Sequence, residues 1–80
     1  MKLVMAVLSS AYADEAVEAL LQKGYRVTRM SSTGGLLRQG NTTLLIGAED
    51  AQVEAVRDIL QQHAPGALWI VLPLERYERF

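Results

Sequence analysis

The sequence predicts an α+β domain in which strands and helices follow one another in the order β-α-β-β-α-β. Short apolar runs typical of buried strands occur near the start, in the middle and near the end of the chain. Two segments between them carry apolar residues at helical spacing. The pattern Asp-x-x-Val-Glu-Ala occurs in both segments, at residues 14–19 and 50–55, which indicates two helices in equivalent positions.

The first half of the chain predicts a strand, a helix and a second strand. Residues 3–8 form a continuous apolar run that two serines end. Asp14 is expected to cap the helix that follows, and Gly24 stands where a glycine commonly ends one. Strand character then returns in residues 25–32. The apolar stripe of this helix is expected to contain Ala16, Val17, Leu20 and Leu21.

The second half predicts a third strand, a second helix and a fourth strand. Residues 41–47 are apolar on both strand faces at their centre, and Asp50 is expected to cap the following helix. Pro65 and Gly66 end that helix, and residues 67–72 form the last strand before a short charged and aromatic tail. The buried stripe of the second helix is expected to contain Val53, Val56, Ile59 and Leu60.

This order of elements defines a ferredoxin-like βαββαβ fold with an antiparallel sheet. Right-handed crossovers place both helices on the same face of such a sheet. Three of the four strands are apolar at successive positions, so the face without helices should be apolar as well. Soluble monomers seldom expose a large apolar patch, and we therefore expect a homo-oligomer in a closed cyclic assembly.

Length and composition limit the classes of function. The 80 residues make one domain, residues 1–80, with a net charge of −1 and no cysteine. Nucleic-acid binders usually carry a basic excess, so we expect no DNA or RNA partner. Without cysteine, neither disulfides nor thiolate metal sites can form. No segment approaches the ~20 apolar residues that span a bilayer. The apolar N-terminal run is too short for a signal peptide, and we expect a cytoplasmic protein.

Residues 26–43 form the most distinctive polar segment of the chain. A strand leads into a turn that contains three glycines, and a second strand follows. The segment combines arginines, hydroxyl side chains and an asparagine, which are groups that can hold a phosphate and read a nucleobase. Arg26 and Thr28 share one strand face, which is either an exposed sheet surface or the wall of a ligand site. A β-hairpin with a polar loop would explain the same composition without any ligand.

Catalysis and metal binding find little support in the sequence. His63 is the only histidine, and it leaves no Ser-His-Asp or Cys-His constellation and no metal-ligand cluster. Acylphosphatases share this element order but need a glycine-rich loop after the first strand, where residues 9–12 are Ser-Ser-Ala-Tyr. RNA-binding domains of this topology carry aromatic residues on central strands, where this chain has Leu44, Leu45 and Ile46. We expect no catalytic residue, no metal site and no cofactor.

Four stretches of the sequence carry a resemblance to a known family. They are Met1-Lys-Leu-Val-Met-Ala-Val at the start, Gly24-Tyr-Arg-Val-Thr, the segment Ser-Thr-Gly-Gly-Leu-Leu-Arg-Gln-Gly-Asn-Thr-Thr-Leu-Leu-Ile-Gly at residues 32–47, and residues 67–80. With these motifs the chain resembles the PII-like signalling proteins, in particular their bacterial cyclic di-AMP receptor branch. It would be a short-loop member, because relatives carry a long loop where a short segment around Pro65 joins the second helix to the last strand.

The resemblance implies a homotrimer whose sheets face inward and whose ligand lies in clefts between subunits. It implies that Arg26 and Thr28 contact phosphate, and that Asn41 forms a hydrogen bond with the adenine edge. The other ligand-binding residues that it implies are Gly34, Gly35, Leu36, Leu37, Gly47 and Arg79, the two leucines packing on the base.

The function implied by the resemblance is signal transduction without catalysis. The protein would bind cyclic di-AMP and signal to a downstream protein that the sequence does not identify. Two alternatives stay open at this point. The trimer could sense another adenine nucleotide, such as AMP, ADP or ATP, or it could be a structural trimer that binds no ligand.

Overall fold

A computed structural model describes residues 1–31, 40–76, 78 and 80 of the chain, and it shows the predicted order of elements. The strands and helices are β1 (Lys2–Ser9), α1 (Ser10–Gln22), β2 (Arg26–Ser31), β3 (Asn41–Ala48), α2 (Val53–His63) and β4 (Leu68–Pro73). A short 3₁₀ turn, Asp50–Gln52, precedes α2. Every neighbouring pair of strands is antiparallel, and the sheet order is β2-β3-β1-β4. The predicted α+β, ferredoxin-like fold is confirmed.

Both helices pack on the same face of the sheet. Every second residue of β1, namely Val4, Ala6 and Leu8, is buried in a core that also contains alternate residues of β3. From the helices, the core takes Ala13, Ala16 and Leu20 of α1 and Val56 and Leu60 of α2. Because successive strand residues point to opposite faces, the intervening residues of β1 and β3 lie on the face that the helices leave uncovered.

The starts of the two helices differ from the prediction, which was wrong for both aspartates. α1 begins at Ser10, and the hydroxyl of Ser9 accepts a hydrogen bond from the backbone N–H of Ala11 at 3.3 Å. Asp14 therefore lies inside the helix, where its carboxylate accepts a hydrogen bond from Arg29 at 2.6 Å. The serine stands at the end of β1, so the chain enters the helix as soon as it leaves the sheet.

The second helical segment begins with a different cap. Glu49 is the N-cap of the 3₁₀ turn, and the side-chain oxygen of Gln52 accepts a hydrogen bond from the backbone N–H of Glu49 at 3.1 Å. Asp50 is the first residue of the turn, and its carboxylate lies 3.3 Å from the N-terminal ammonium group of Met1. The aspartate thus ties the turn to the start of β1.

The predicted stripe of α1 holds only in part. Leu20 is fully buried, whereas Leu21 is 55% exposed. Consecutive residues are about 100° apart around a helix, so one of two neighbouring leucines turns away from the sheet.

At the end of α2, His63 Nδ1 lies 2.9 Å from the carboxylate of Glu15 and links the two helices.

Candidate ligand-binding site

The face of the sheet that the helices leave uncovered is called here the open face. Its residues form rows across the four strands, set by the antiparallel register. The three complete rows, from β2 through β3 and β1 to β4, are Arg26, Gly47, Leu3 and Leu72; then Thr28, Leu45, Met5 and Ile70; then Met30, Thr43, Val7 and Leu68. Asn41 continues the β3 side of this face beyond the third row.

Most of the open face is apolar and accessible to solvent in a single protomer. Its centre consists of half-buried Leu3, Met5 and Leu45, and its β4 side carries exposed Leu68 and Leu72. Leu68 is 57% exposed. An apolar surface that extends over β3, β1 and β4 is characteristic of an interaction surface rather than of the free surface of a monomer.

The β2–β3 side of the open face is polar. We call Arg26, Thr28, Thr43 and Asn41 the polar stripe. Arg26 begins it opposite Gly47, and Thr28 follows opposite Leu45. Thr43 then lies opposite Met30, and Asn41 ends the stripe at the start of β3. The stripe borders the apolar part of the same face along its whole length.

The predicted ligand-binding residues that the structure describes lie on one face of the sheet. Arg26, Thr28, Asn41 and Gly47 all lie on the open face, on two neighbouring strands. The other five predicted positions, Gly34, Gly35, Leu36, Leu37 and Arg79, lie outside the described residues. That all nine bind a ligand stays a prediction.

The two ends of the polar stripe are far apart. Gly47, which is opposite Arg26, follows Asn41 by six residues in β3. At about 3.3 Å per residue, the strand separates them by roughly 20 Å. Arg26 and Asn41 of one protomer therefore cannot contact the same phosphate or the same base edge. They suit separate parts of an extended ligand, or two ligand sites that neighbouring copies complete.

Arg26 and Arg29 differ in their surroundings although both lie on β2. Arg29 points to the helix-covered face and donates a hydrogen bond to Asp14 of α1. Arg26 is exposed on the open face, and within residues 1–31 and 40–76 it forms no salt bridge. Arg26 thus has no carboxylate partner in those ranges, and its five donors can serve an anion.

Two adjacent threonines at the start of β3 have opposite environments. Thr42 faces the helices, and its hydroxyl oxygen lies 2.7 Å from that of Ser10 in a hydrogen bond. Thr43 faces the open face and is only 2% exposed, but its Oγ1 has no hydrogen-bond partner among the residues that the structure describes. Sequence reasoning did not include Thr43 among the candidate ligand-binding residues. The alternation of strand faces could have found it, because Thr43 shares its face with Asn41.

Gly40 fixes where β3 and the polar stripe begin. Its φ is +90°, a conformation that residues with a side chain rarely adopt. Its carbonyl accepts a hydrogen bond from the backbone N–H of Ser10 at 2.7 Å. The start of α1 therefore holds the residue immediately before Asn41.

Replacing Gly40 with alanine should lower the free energy of unfolding by about 1–2 kcal/mol, because a left-handed residue with a side chain is strained. Among the described residues, no heavy atom beyond those of Gly40 and its two chain neighbours lies within 4 Å of the added methyl carbon, so the cost should be conformational and not steric. Urea unfolding at fixed protein concentration measures it. Gly40→Asn is the control and should lose less, because asparagine tolerates this conformation. Equal losses in both variants would contradict the explanation.

A groove of about 460 Å³ lies on the other side of the sheet, between the end of α2 and the start of β4. Trp69 and Gln61 line it together with Arg57, whose guanidinium lies 3.5 Å from Glu54. Of the predicted ligand-binding residues that the structure describes, none borders this groove. The described residues contain no group of His, Cys, Asp or Glu side chains arranged to hold a metal ion. Within the same residues, no helix has the length and apolar character needed to cross a membrane.

Comparison with known proteins places the chain in a family. A solved crystal structure of a functionally unknown protein from Pediococcus pentosaceus shares 32% sequence identity with this chain, with a TM-score of 0.85. The alignment covers 99% of this chain and 96% of that one, so the whole fold is shared and not a part of it. The model of the cyclic-di-AMP receptor family matches residues 1–67, which include β1 to β3, both helices and the complete polar stripe. The chain therefore belongs to the cyclic-di-AMP receptor family.

Proposed function

We propose that the protein is a homotrimeric signalling protein that binds cyclic di-AMP in clefts between its subunits. One observation carries the proposal: the polar residues suited to a nucleotide lie on the same sheet face as an apolar surface that needs a partner. A partner that covers the apolar part of the open face would leave the polar stripe at the border of the contact. Membership of a cyclic-di-AMP receptor family supports this choice of ligand.

The apolar part of the open face supports self-association. Its exposed leucines on β4 and its half-buried centre would be removed from water by sister copies of the same face. Burying apolar surface contributes about 25 cal/mol per Å², and a closed cyclic assembly leaves no such face exposed. Three copies is the number that the family resemblance implies.

The polar stripe supports the choice of a dinucleotide. The guanidinium of Arg26 can donate two parallel hydrogen bonds to a phosphodiester, and Thr28 adds a hydroxyl beside it. The amide of Asn41 offers a donor and an acceptor together, which matches the edge of adenine. Because Arg26 and Asn41 lie at opposite ends of the stripe, a ligand with two nucleotide units fits their separation better than a single nucleotide does.

The remaining parts of the proposal follow the family resemblance. Leu36 and Leu37 pack on a base, backbone groups at Gly34, Gly35 and Gly47 line the pocket, and Arg79 adds a polar contact. The protein has no catalytic activity of its own and acts in the bacterial cytoplasm. Ligand contact with residues 33–40 changes the surface that the trimer presents to a downstream protein. The difference in the ligand's affinity for the two states of this segment limits how far the equilibrium between them can shift.

Titration calorimetry and light scattering test the proposal together. Cyclic di-AMP should bind in a ratio of one per subunit to a particle of three times 8.8 kDa. At about 100 times its dissociation constant, it should stabilise each site by roughly 2.7 kcal/mol in a thermal-shift assay. Cyclic di-GMP is the matched control, since it has the same ring and different base edges, and it should bind far more weakly.

Other outcomes select the alternatives. A thermal shift with AMP, ADP or ATP but none with cyclic di-AMP would assign a mononucleotide. A trimer that responds to no adenine nucleotide would be a structural trimer, and a monomer would contradict the proposal as a whole.

A further inference from the structure

Thr43 is a buried polar side chain for which neither the fold nor the predicted binding residues provide a role. It is 2% exposed, and its Oγ1 is closed to solvent without a hydrogen-bond partner in residues 1–31 and 40–76. Native proteins pair nearly all buried hydroxyl groups, so each exception needs an explanation. Thr42, its neighbour, shows the usual solution, because its hydroxyl is hydrogen bonded to Ser10 at 2.7 Å.

The position of Thr43 suggests what its partner is. In the polar stripe, Thr43 lies between Thr28 and Asn41. Thr28 lies opposite Leu45, and Asn41 is on the same face of β3 as Thr43. Residues two apart on a strand are about 6.6 Å apart, so Thr43 bridges the interval between the two predicted contacts. A ligand that reaches from Arg26 and Thr28 at one end to Asn41 at the other passes over Thr43.

We propose that Thr43 is a further ligand-binding residue, whose hydroxyl donates a hydrogen bond to an oxygen of the ligand's sugar–phosphate ring. This inference rests on the proposed function and adds a contact in the middle of the site. The hydroxyl is a suitable donor for a charged phosphate oxygen, and bonds of that kind are stronger than those between neutral groups. Arg26 and Thr28 hold one part of the ring, Asn41 reads a base, and Thr43 holds the ring between them.

Access to the hydroxyl requires a local movement. Met30 lies directly opposite Thr43 on the same face and is itself exposed. Its unbranched side chain has three rotatable bonds, so it can change rotamer without moving the sheet. Within the described residues of the free protein the hydroxyl thus has no partner, and it acquires one when the ligand enters.

This difference between free and bound protein gives the substitution Thr43→Val opposite effects in the two states. Valine keeps the shape of threonine and removes the unpaired hydroxyl, so the melting temperature of the free protein should rise by about 4 °C or more. The same change removes a contact with the ligand, so the dissociation constant for cyclic di-AMP should increase about tenfold. The trimer should persist.

Thr42→Val and Thr43→Ser are the controls. Thr42→Val removes a hydroxyl that is already paired with Ser10, so it should lower the melting temperature and leave the dissociation constant unchanged. Thr43→Ser retains the hydroxyl and should retain the affinity. Differential scanning fluorimetry, calorimetry with cyclic di-AMP and light scattering supply the three measurements.

Three results would overturn the inference. An unchanged dissociation constant in Thr43→Val would show that the hydroxyl does not contact the ligand. Dissociation of the Thr43→Val trimer would assign the hydroxyl to a neighbouring subunit instead. If the unmodified protein binds no cyclic di-AMP, the proposed function fails together with this inference, whereas failure of Thr43→Val alone leaves that function intact. Should Thr43→Val not fold, the affinity of Thr43→Ala relative to Thr43→Ser decides.

Discussion

Replacing Leu45 with aspartate should convert the proposed trimer into monomers. Leu45 occupies the middle row of the open face, between Thr28 of β2 and Met5 of β1. A carboxylate placed there in a closed assembly would lose its hydration, which costs several kcal/mol for each subunit. Light scattering should report a particle of 8.8 kDa instead of three times that mass. Because the proposed site lies between subunits, cyclic di-AMP binding should disappear as well.

Leu21→Asp is the matched control for this prediction. It introduces the same chemical change on α1, at a leucine that is 55% exposed and lies on the opposite side of the molecule. This variant should remain a trimer and bind ligand. If Leu45→Asp remains a trimer too, the open face is not the interface. If it unfolds, Leu68→Asp at the exposed edge of the same face distinguishes misfolding from dissociation, because it should dissociate with normal circular dichroism.

Replacing Arg26 with alanine should raise the dissociation constant for cyclic di-AMP at least 100-fold. Hydrogen bonds to charged groups contribute about 1.5–3 kcal/mol each, and the guanidinium can make two with one phosphodiester. Together they account for a hundredfold or larger change in affinity, since about 1.4 kcal/mol corresponds to a factor of ten. Calorimetry measures the loss. The trimer and its melting temperature should change little, because Arg26 is exposed on the β2 edge of the sheet.

Two further variants test whether binding depends on the charge of Arg26, on its planar pair of donors or on its position in the strand. Arg26→Lys keeps the positive charge but not the planar pair of donors, so its affinity should lie between those of the unmodified protein and Arg26→Ala. Arg29→Ala removes an arginine from the same strand on the opposite face, where it pairs with Asp14. It should leave the affinity unchanged and cost at most about 1 kcal/mol of stability, since that pair is largely exposed. Equal loss of binding in Arg26→Ala and Arg29→Ala would point to a nonspecific effect of charge.

Sequence periodicity predicted the strands better than it predicted the helix starts. The alternation in β2 correctly grouped Arg26 and Thr28 on one face, because a strand has a period of two whatever its surroundings. The predicted helix caps were wrong, because several residues near the start of each helix can accept the same backbone hydrogen bonds. Ser9 is the N-cap in place of Asp14, because β1 ends at Ser9 and the chain leaves the sheet there.

The sequence by itself determined the number, type and order of the elements, and it indicated an apolar sheet face that needs a partner. Local patterns carry that information, since apolar spacing, glycines and prolines act over a few residues. Only the tertiary structure decided that Arg26 stands opposite Gly47 and Met30 opposite Thr43, which makes one stripe of the polar residues. Strand register depends on how two distant segments pair, and a slip of one residue would turn the whole stripe toward the helices.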